Sequence, residues 1–331
     1  MVQSNGDRIR IGPVISDVQP AEIAGELPEL VTRGGAGARF AYEEFFYGRL
    51  RNPHTRKAYR FAVHEFLGRC EQLGIDLPEV SPRQISQYLD SLDCSPSTRK
   101  QRLAALRHFF DELVVRHVVV LNPAASVRGE RYQVVEGKTP DIGVENARRL
   151  LASIRTDNAV GLRDRSIIGI LIYTAARVGA VARLHRQDFY DTGDQHCLHF
   201  ADKGGKSREI PVRHDLQGTL FTYLAAAKLG DADGGSPLFR SADGRTGHLT
   251  NRPVTAGDIA RMVKRRLRDT GLSSRLSPHS FRVTTVTDLL TQGVPLEEVQ
   301  YLAGHSDPRT TRLYDRRQRR VTRNIVERIS I

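Results

Sequence analysis

Apolar residues recur at helical spacing over much of the chain. Tyr59, Ala62, Val63, Phe66, Leu67 and Cys70 fall on one stripe, and Leu103, Leu106, Phe110, Leu113 and Val114 on another, each at the three-and-four spacing that lines one face of an α-helix. Between them Ile85, Tyr88, Leu89 and Leu92 mark a shorter helix entered through Ser81-Pro82, where serine caps and proline takes the first helical position. Residues 39–128 thus read as a domain of four or five helices. Upstream, residues 1–38 mix Gly, Pro and single charges without sustained periodicity and end in Arg33-Gly34-Gly35-Ala36-Gly37, the pattern of a flexible tail.

A polar, turn-prone stretch over residues 129–142 reads as a linker into a second domain at 143–331. Helical stripes resume there at Ala147, Leu150, Leu151 and Ile154, at Ile259, Val263 and Leu267, and at Val283, Val286, Leu289 and Leu290. Residues 196–200 and 209–212 alternate like short strands, and Asp202-Lys203-Gly204-Gly205-Lys206 between them suggests a hairpin turn. The fold class expected is mainly α in two domains, the second a mixed α/β domain carrying a small antiparallel sheet. No internal repeat of fixed period is visible.

Charge narrows the partner. The 331 residues carry 50 Lys and Arg against 38 Asp and Glu, a net +12, while 39% of them are hydrophobic. A basic yet foldable chain favours a polyanion, either nucleic acid or an anionic membrane. The longest apolar run, Ile167 to Tyr173, is well short of the ~20 residues of a spanning helix, and the N-terminus lacks the apolar core of a signal peptide. A cytoplasmic protein that does not engage a membrane is expected. Three widely spaced cysteines, Cys70, Cys94 and Cys197, fit small buried hydrophobes in a reducing compartment rather than disulfides or a metal site.

The chemistry-bearing residues cluster in the second domain. Arg177 follows the apolar run ending Tyr173-Thr174-Ala175-Ala176, where a charge should be paired or functional. Ser277-Pro278 opens a helix that puts His279 and Arg282 three apart on one face near its positive end, an arrangement suited to an anion, although a first-turn His and Arg facing water would read the same way. Gly304-His305-Ser306-Asp307-Pro308 is a second turn into a helix, with Asp307 as cap, and Tyr314 follows among Arg309, Arg312, Arg316 and Arg317. A tyrosine there either packs under guanidinium groups or supplies a hydroxyl for chemistry.

Together these residues resemble the tyrosine recombinase (lambda integrase-like) family, which includes bacterial Xer recombinases and phage integrases. HSFRVTTVTDLLTQGVPLEEVQYLAGHSDPRTTRLYD is similar to the family's HxxR box, its LGH-type turn and its nucleophilic tyrosine, which falls on Tyr314. TAARVGAVARL resembles the box of the first arginine, placing that role on Arg177, and DKGGKSREIPV resembles the β-hairpin lysine segment, with Lys203 the better match and Lys206 the alternative. HTRKAYRFAVHEFL and SPSTRKQRLAALRHFFDEL more loosely resemble the helical core-binding (SAM-like) domain. One departure stands out: the family usually has an acidic residue three positions after its first arginine, and this chain has Ala180.

The resemblance implies a site-specific DNA recombinase or integrase working on double-stranded DNA through a 3′-phosphotyrosyl intermediate, without cofactor, metal or ATP. Arg177, Arg282, His279, His305, Lys203 and Tyr314 would form its catalytic set. Arg56, Lys57, Arg60, Arg99, Lys100 and Arg102, near helix starts, are candidate phosphate contacts. Residues 301–331 hold eight arginines against three acids and end in apolar residues, a tail that by resemblance docks on a neighbouring copy in a tetramer. Two other readings stay open: a type IB topoisomerase that relaxes DNA, and a DNA-binding protein that keeps the fold without cutting.

Overall fold

The computed structural model describes residues 27–130, 139–201, 207–244 and 246–314. Two units separate between Gln133 and Val134. The first comprises α1 (Glu29–Arg33), α2 (Gly35–Glu43), a π-helical turn over Glu44–Arg49, α3 (Pro53–Gln72), α4 (Pro82–Asp90) and α5 (Pro96–Val115). Helices α3, α4 and α5 each begin at a proline preceded by a small polar residue. The Asn52 side chain accepts from the His54 amide at 2.9 Å, and Ser95 Oγ accepts from the Thr98 amide at 3.3 Å, satisfying N–H groups that a helix start leaves open. The stripes meet in one core in which Phe45, Phe46, Phe66, Phe109 and Phe110 are buried.

The structure corrects the end of the expected tail, whose residues 1–26 lie outside those described. Residues 29–33 and 35–43 are helical, with Leu30, Val31 and Ala38 buried in the first core. The glycines that suggested flexibility serve geometry instead: a Cβ on Gly34 would sit 2.7 Å from that of Ala38, and Gly35 turns the chain at φ +76°. The expected linker also ends early. Ile142 is buried in the second core, and its amide donates to Thr284 Oγ1 at 2.9 Å; residues 131–138 lie outside those described.

The second unit runs α6 (Val144–Ser153), α7 (Ala159–Tyr173), α8 (Val178–Ala182), β1 (Phe189–Asp191), β2 (His196–Ala201), β3 (Ser207–Pro211), α9 (His214–Ala226), β4 (Arg240–Ala242), β5 (Leu249–Pro253), α10 (Ala256–Asp269), α11 (Pro278–Thr291), α12 (Leu296–Ala303) and α13 (Pro308–Arg312). The expected hairpin pairs β2 with β3 from Cys197↔Pro211 to Ala201↔Ser207, and β1 adds a third antiparallel strand. Strands β4 and β5 form a separate two-stranded sheet.

Helix α7 is buried on nearly every face and contributes to the second core, so the longest apolar run of the chain lies in a buried helix. Its one buried carboxylate, Asp164, accepts from Arg163, Arg265 and Arg266, tying α7 to α10. A smaller apolar cluster of Ala175, Val286, Leu290, Val299 and Ala303 joins α11, α12 and the turn after α7. Among the described residues no helix is long and apolar enough to cross a membrane, and no cluster of His, Cys, Asp or Glu could hold a metal ion. Cys70 and Cys197 are buried and Cys94 half-buried, all as free thiols.

Candidate active site

The turn after α7 starts the site. Thr174, Ala175 and Ala176 are buried, and Ala175 adopts a left-handed backbone at φ +49°. Arg177 then stands at the residue before α8 with its side chain exposed. On α11, Ser277 and Pro278 start the helix as the sequence predicts, presenting His279 at the surface and Arg282 inward, 2% exposed. Helix α12 closes on Gly304 at φ +61°, where the His305 amide donates to the Gln300 carbonyl at 3.1 Å and Gly304 to Tyr301 at 2.9 Å. This left-handed cap reverses the chain and turns His305 back over the helix end. Asp307 then caps α13, and Tyr314 follows it.

Three guanidinium groups take the last carbonyls of that helix end in succession: Arg208 donates to Leu302, Arg282 to Ala303, and Arg177 to Gly304 at 3.2 Å. Arg282 also donates to the Ala175 carbonyl at 2.6 Å, and Arg208 to that of Thr174 at 3.4 Å. The carboxyl end of a helix carries partial negative charge, so cations are stabilised there. Position 180 is a buried alanine, and the Gly304 carbonyl is an acceptor for Arg177.

The nucleophile candidate comes to this cluster. Tyr314 Oη lies 3.4 Å from His279 Nε2, and its ring is parallel to that of His305, within 2° and with centroids 5.9 Å apart. Burial raises the Tyr314 pKa, while Arg282 and Arg177 pull it back. Desolvation, then Arg282 and Arg177, hold His279 below its ordinary value. His305 is buried and drops to about 3, through desolvation first and then the charges of Arg282, Arg177, His279 and Arg208. Both imidazoles are therefore neutral at pH 7, able to accept or donate one proton each.

Of the expected catalytic set, Arg177, His279, Arg282, His305 and Tyr314 are thus gathered in one place. Lys203 and Lys206 lie outside the described residues, as does the arginine-rich segment from 315 on. Arg208 was missed. Its signal is present in the sequence, because in the alternation of β3 it shares the inward face with Ile210, where a charge needs a partner.

The cations of the first unit are spent unequally. Lys57 and Lys100 are exposed and Arg60 half-buried. Arg56 donates to the Leu50 carbonyl, Arg99 pairs with Glu130, and Arg102 pairs with Glu65 and donates to Tyr88 Oη at 2.8 Å. Arg102 therefore also braces α3, α4 and α5.

Residues 141–320 match the phage integrase family, and residues 42–117 match the phage integrase N-terminal SAM-like domain. The chain belongs to the phage integrase family. Relatives include the tyrosine recombinase XerC of Xanthomonas campestris pv. campestris, 26% identical over 304 residues that make up 89% of each chain. XerC of Myxococcus xanthus is 28% identical over 271 residues, covering 80% of this chain and 87% of that protein. Integrase structures share the fold. A XerH site-specific recombinase bound to palindromic difH substrate matches with TM-score 0.66 at 18% identity, covering 88% of this chain and 86% of that one. The Tn1549 transposon integrase in complex with circular intermediate DNA matches with TM-score 0.62 at 18% identity, covering 87% and 97%. A lambda integrase dimer bound to a core site gives 0.63 at 17%, covering 87% and 95%.

Proposed function

We propose that the protein is a site-specific DNA recombinase that cuts and rejoins strands through a 3′-phosphotyrosyl intermediate. The observation that carries this reading is the convergence of the Tyr314 hydroxyl with His279, His305 and the Arg177–Arg282 pair. A scissile phosphate seated between the arginines would have its non-bridging oxygens braced by planar guanidinium forks, which favour the more highly charged five-coordinate state. Tyr314 Oη bonds to phosphorus as the P–O5′ bond breaks, and the phenolic proton passes to neutral His279. By family resemblance Lys203, or Lys206, returns a proton to the leaving 5′ oxygen, and His305 donates to a phosphate oxygen.

The phosphotyrosyl bond retains the energy of the phosphodiester, so a second 5′ hydroxyl reverses the step. The scheme draws its counter-charge from guanidinium groups and its energy from the transferred bond, and calls for neither a metal ion nor ATP. Duplex DNA as the partner is supported by the net charge of +12 and by the DNA complex of the related transposon integrase. Exposed Lys57 and Lys100, together with Arg60, Arg56, Arg99 and Arg102, are assigned to phosphate contacts. The arginine-rich segment after Tyr314 is assigned to self-association in a tetramer on DNA.

The test starts from a duplex enriched from a random pool by binding to the protein, then nicked next to each position so that cleavage is trapped. A covalent protein–DNA band on a denaturing gel, lost in Tyr314→Phe with binding retained, is expected. Binding without any band would instead identify a non-cutting DNA-binding protein, and relaxation of supercoiled plasmid without strand exchange would identify a topoisomerase.

A further inference from the structure

His305 is held at both ends. Its backbone is fixed by the α12 cap and by Gln300 Nε2, which donates to the His305 carbonyl at 3.0 Å. Its ring is fixed by Thr311 of α13, whose Oγ1 lies 2.8 Å from His305 Nδ1. Thr311 is 0% exposed and His305 7%, so water does not compete for this contact.

A contact between a hydroxyl and an imidazole nitrogen can run either way, and burial decides between the two. If Nδ1 carried the proton and donated to Thr311, the threonine's own proton would need a second acceptor. Thr311 Oγ1 makes no other hydrogen bond among the described residues, and a buried hydroxyl left without an acceptor costs about 1–3 kcal/mol. If Thr311 donates to Nδ1, its proton is satisfied and the ring proton must sit on Nε2. We propose that Thr311 is a positioning residue that fixes His305 as the Nε2–H tautomer, leaving Nε2 as the donor offered to the phosphate.

The assignment has a mechanical side. Thr311 stands three residues before Tyr314 on the segment that presents the nucleophile. Docking of that segment delivers the phenol and sets the His305 proton in one event. A protein whose α13 is undocked would lack both, so the phosphate donor is ready only when the nucleophile is in place. This inference rests on the catalytic role proposed for His305, but the tautomer itself can be measured without catalysis.

The experiment compares the full-length protein with Thr311→Val, which keeps the shape and loses the hydroxyl, and Thr311→Ser, which keeps the hydroxyl. Histidine is labelled with 15N, and the His305 ring signals are identified by their loss in His305→Gln. Wild type and Thr311→Ser should show the Nε2–H pattern, and Thr311→Val a mixture of tautomers. On the nicked duplex at saturating protein, covalent complex should form about tenfold more slowly or worse in Thr311→Val, within about threefold of wild type in Thr311→Ser, and with DNA affinity unchanged in both. A wild-type Nε2–H pattern surviving in Thr311→Val would overturn the proposal, as would equal slowing in both variants, which would make the role one of packing. Should wild type form no covalent complex, the proposed function fails, and the nitrogen spectra alone still decide the tautomer.

Discussion

Arg208 and Arg282 donate to neighbouring carbonyls, Leu302 and Ala303, at the end of α12. One guanidinium arrives from a strand and the other from a helix, and each also grips the turn after α7. The helix end, the turn and the β-hairpin are thereby fastened together beside Arg177 by charge-assisted bonds.

Arg208→Ala removes one of those fastenings from a buried position. A hydrogen bond from a charged group contributes about 1.5–3 kcal/mol, and the variant should unfold at correspondingly lower denaturant. Its covalent complex should form more slowly even at temperatures where it is fully folded, because the Leu302 carbonyl is no longer held. Unfolding curves paired with single-turnover cleavage check both parts; wild-type cleavage in the folded variant would confine Arg208 to stability.

His279 sits 3.4 Å from the phenol it is proposed to deprotonate. His279→Ala should slow covalent complex formation by roughly 10²-fold or more, the usual range for losing a positioned base, while duplex affinity stays near wild type. Because burial and the two arginines hold its pKa below the ordinary 6.5, the wild-type rate should fall by less than the roughly one third expected of an unshifted imidazole as pH drops from 7 to 6.5. A fall of about one third or more over that interval would contradict the shift.

Acid should unfold this protein through its histidines. The unfolded chain binds a proton at His305 near pH 6.5, and the folded ring only near 3. Between these values the unfolded state holds more protons, so this contribution is full above about pH 6.5 and is lost progressively as pH falls toward 3. His279 acts in the same sense. Melting temperature should therefore drop between pH 7 and 4.5, and His305→Gln should flatten the drop; parallel curves would show that the ring is not held neutral.

Asp164 is the most exposed point of failure in the second core, because it is fully buried and gathers Arg163, Arg265 and Arg266. Asp164→Ala strands the buried Arg163 guanidinium, while Arg265 and Arg266 can turn to solvent. A loss of about 3–5 kcal/mol is expected from urea unfolding, as for a broken buried pair. A loss under 1 kcal/mol would mean that the Arg240 carbonyl, which also accepts from Arg163, suffices for that guanidinium.

The helices of both units were legible because their apolar spacing and their Ser-Pro or Asp-Pro starts act locally. The site was legible because Arg177, the His279–Arg282 pair, His305 and Tyr314 stand in recognisable motifs. What escaped depends on partners distant in sequence. Leu30 and Val31 belong to a helix too short to show a period, and Arg208 matters through carbonyls 34 and 94 residues away. Strands β1, β4 and β5 escaped for a different reason: at three to five residues each is too short to show an alternating period of its own.

Ala175 stands in the left-handed region at φ +49°, a conformation that costs an L-residue roughly 1–2 kcal/mol. Its methyl is sealed in the small apolar cluster behind it, and its carbonyl is taken by Arg282 in front. The turn behind Arg177 is thus a sprung element, latched from both sides. Glycine at this position would relax the spring and give up the methyl contact behind it, making a more comfortable loop and a looser seat for the Arg282 guanidinium.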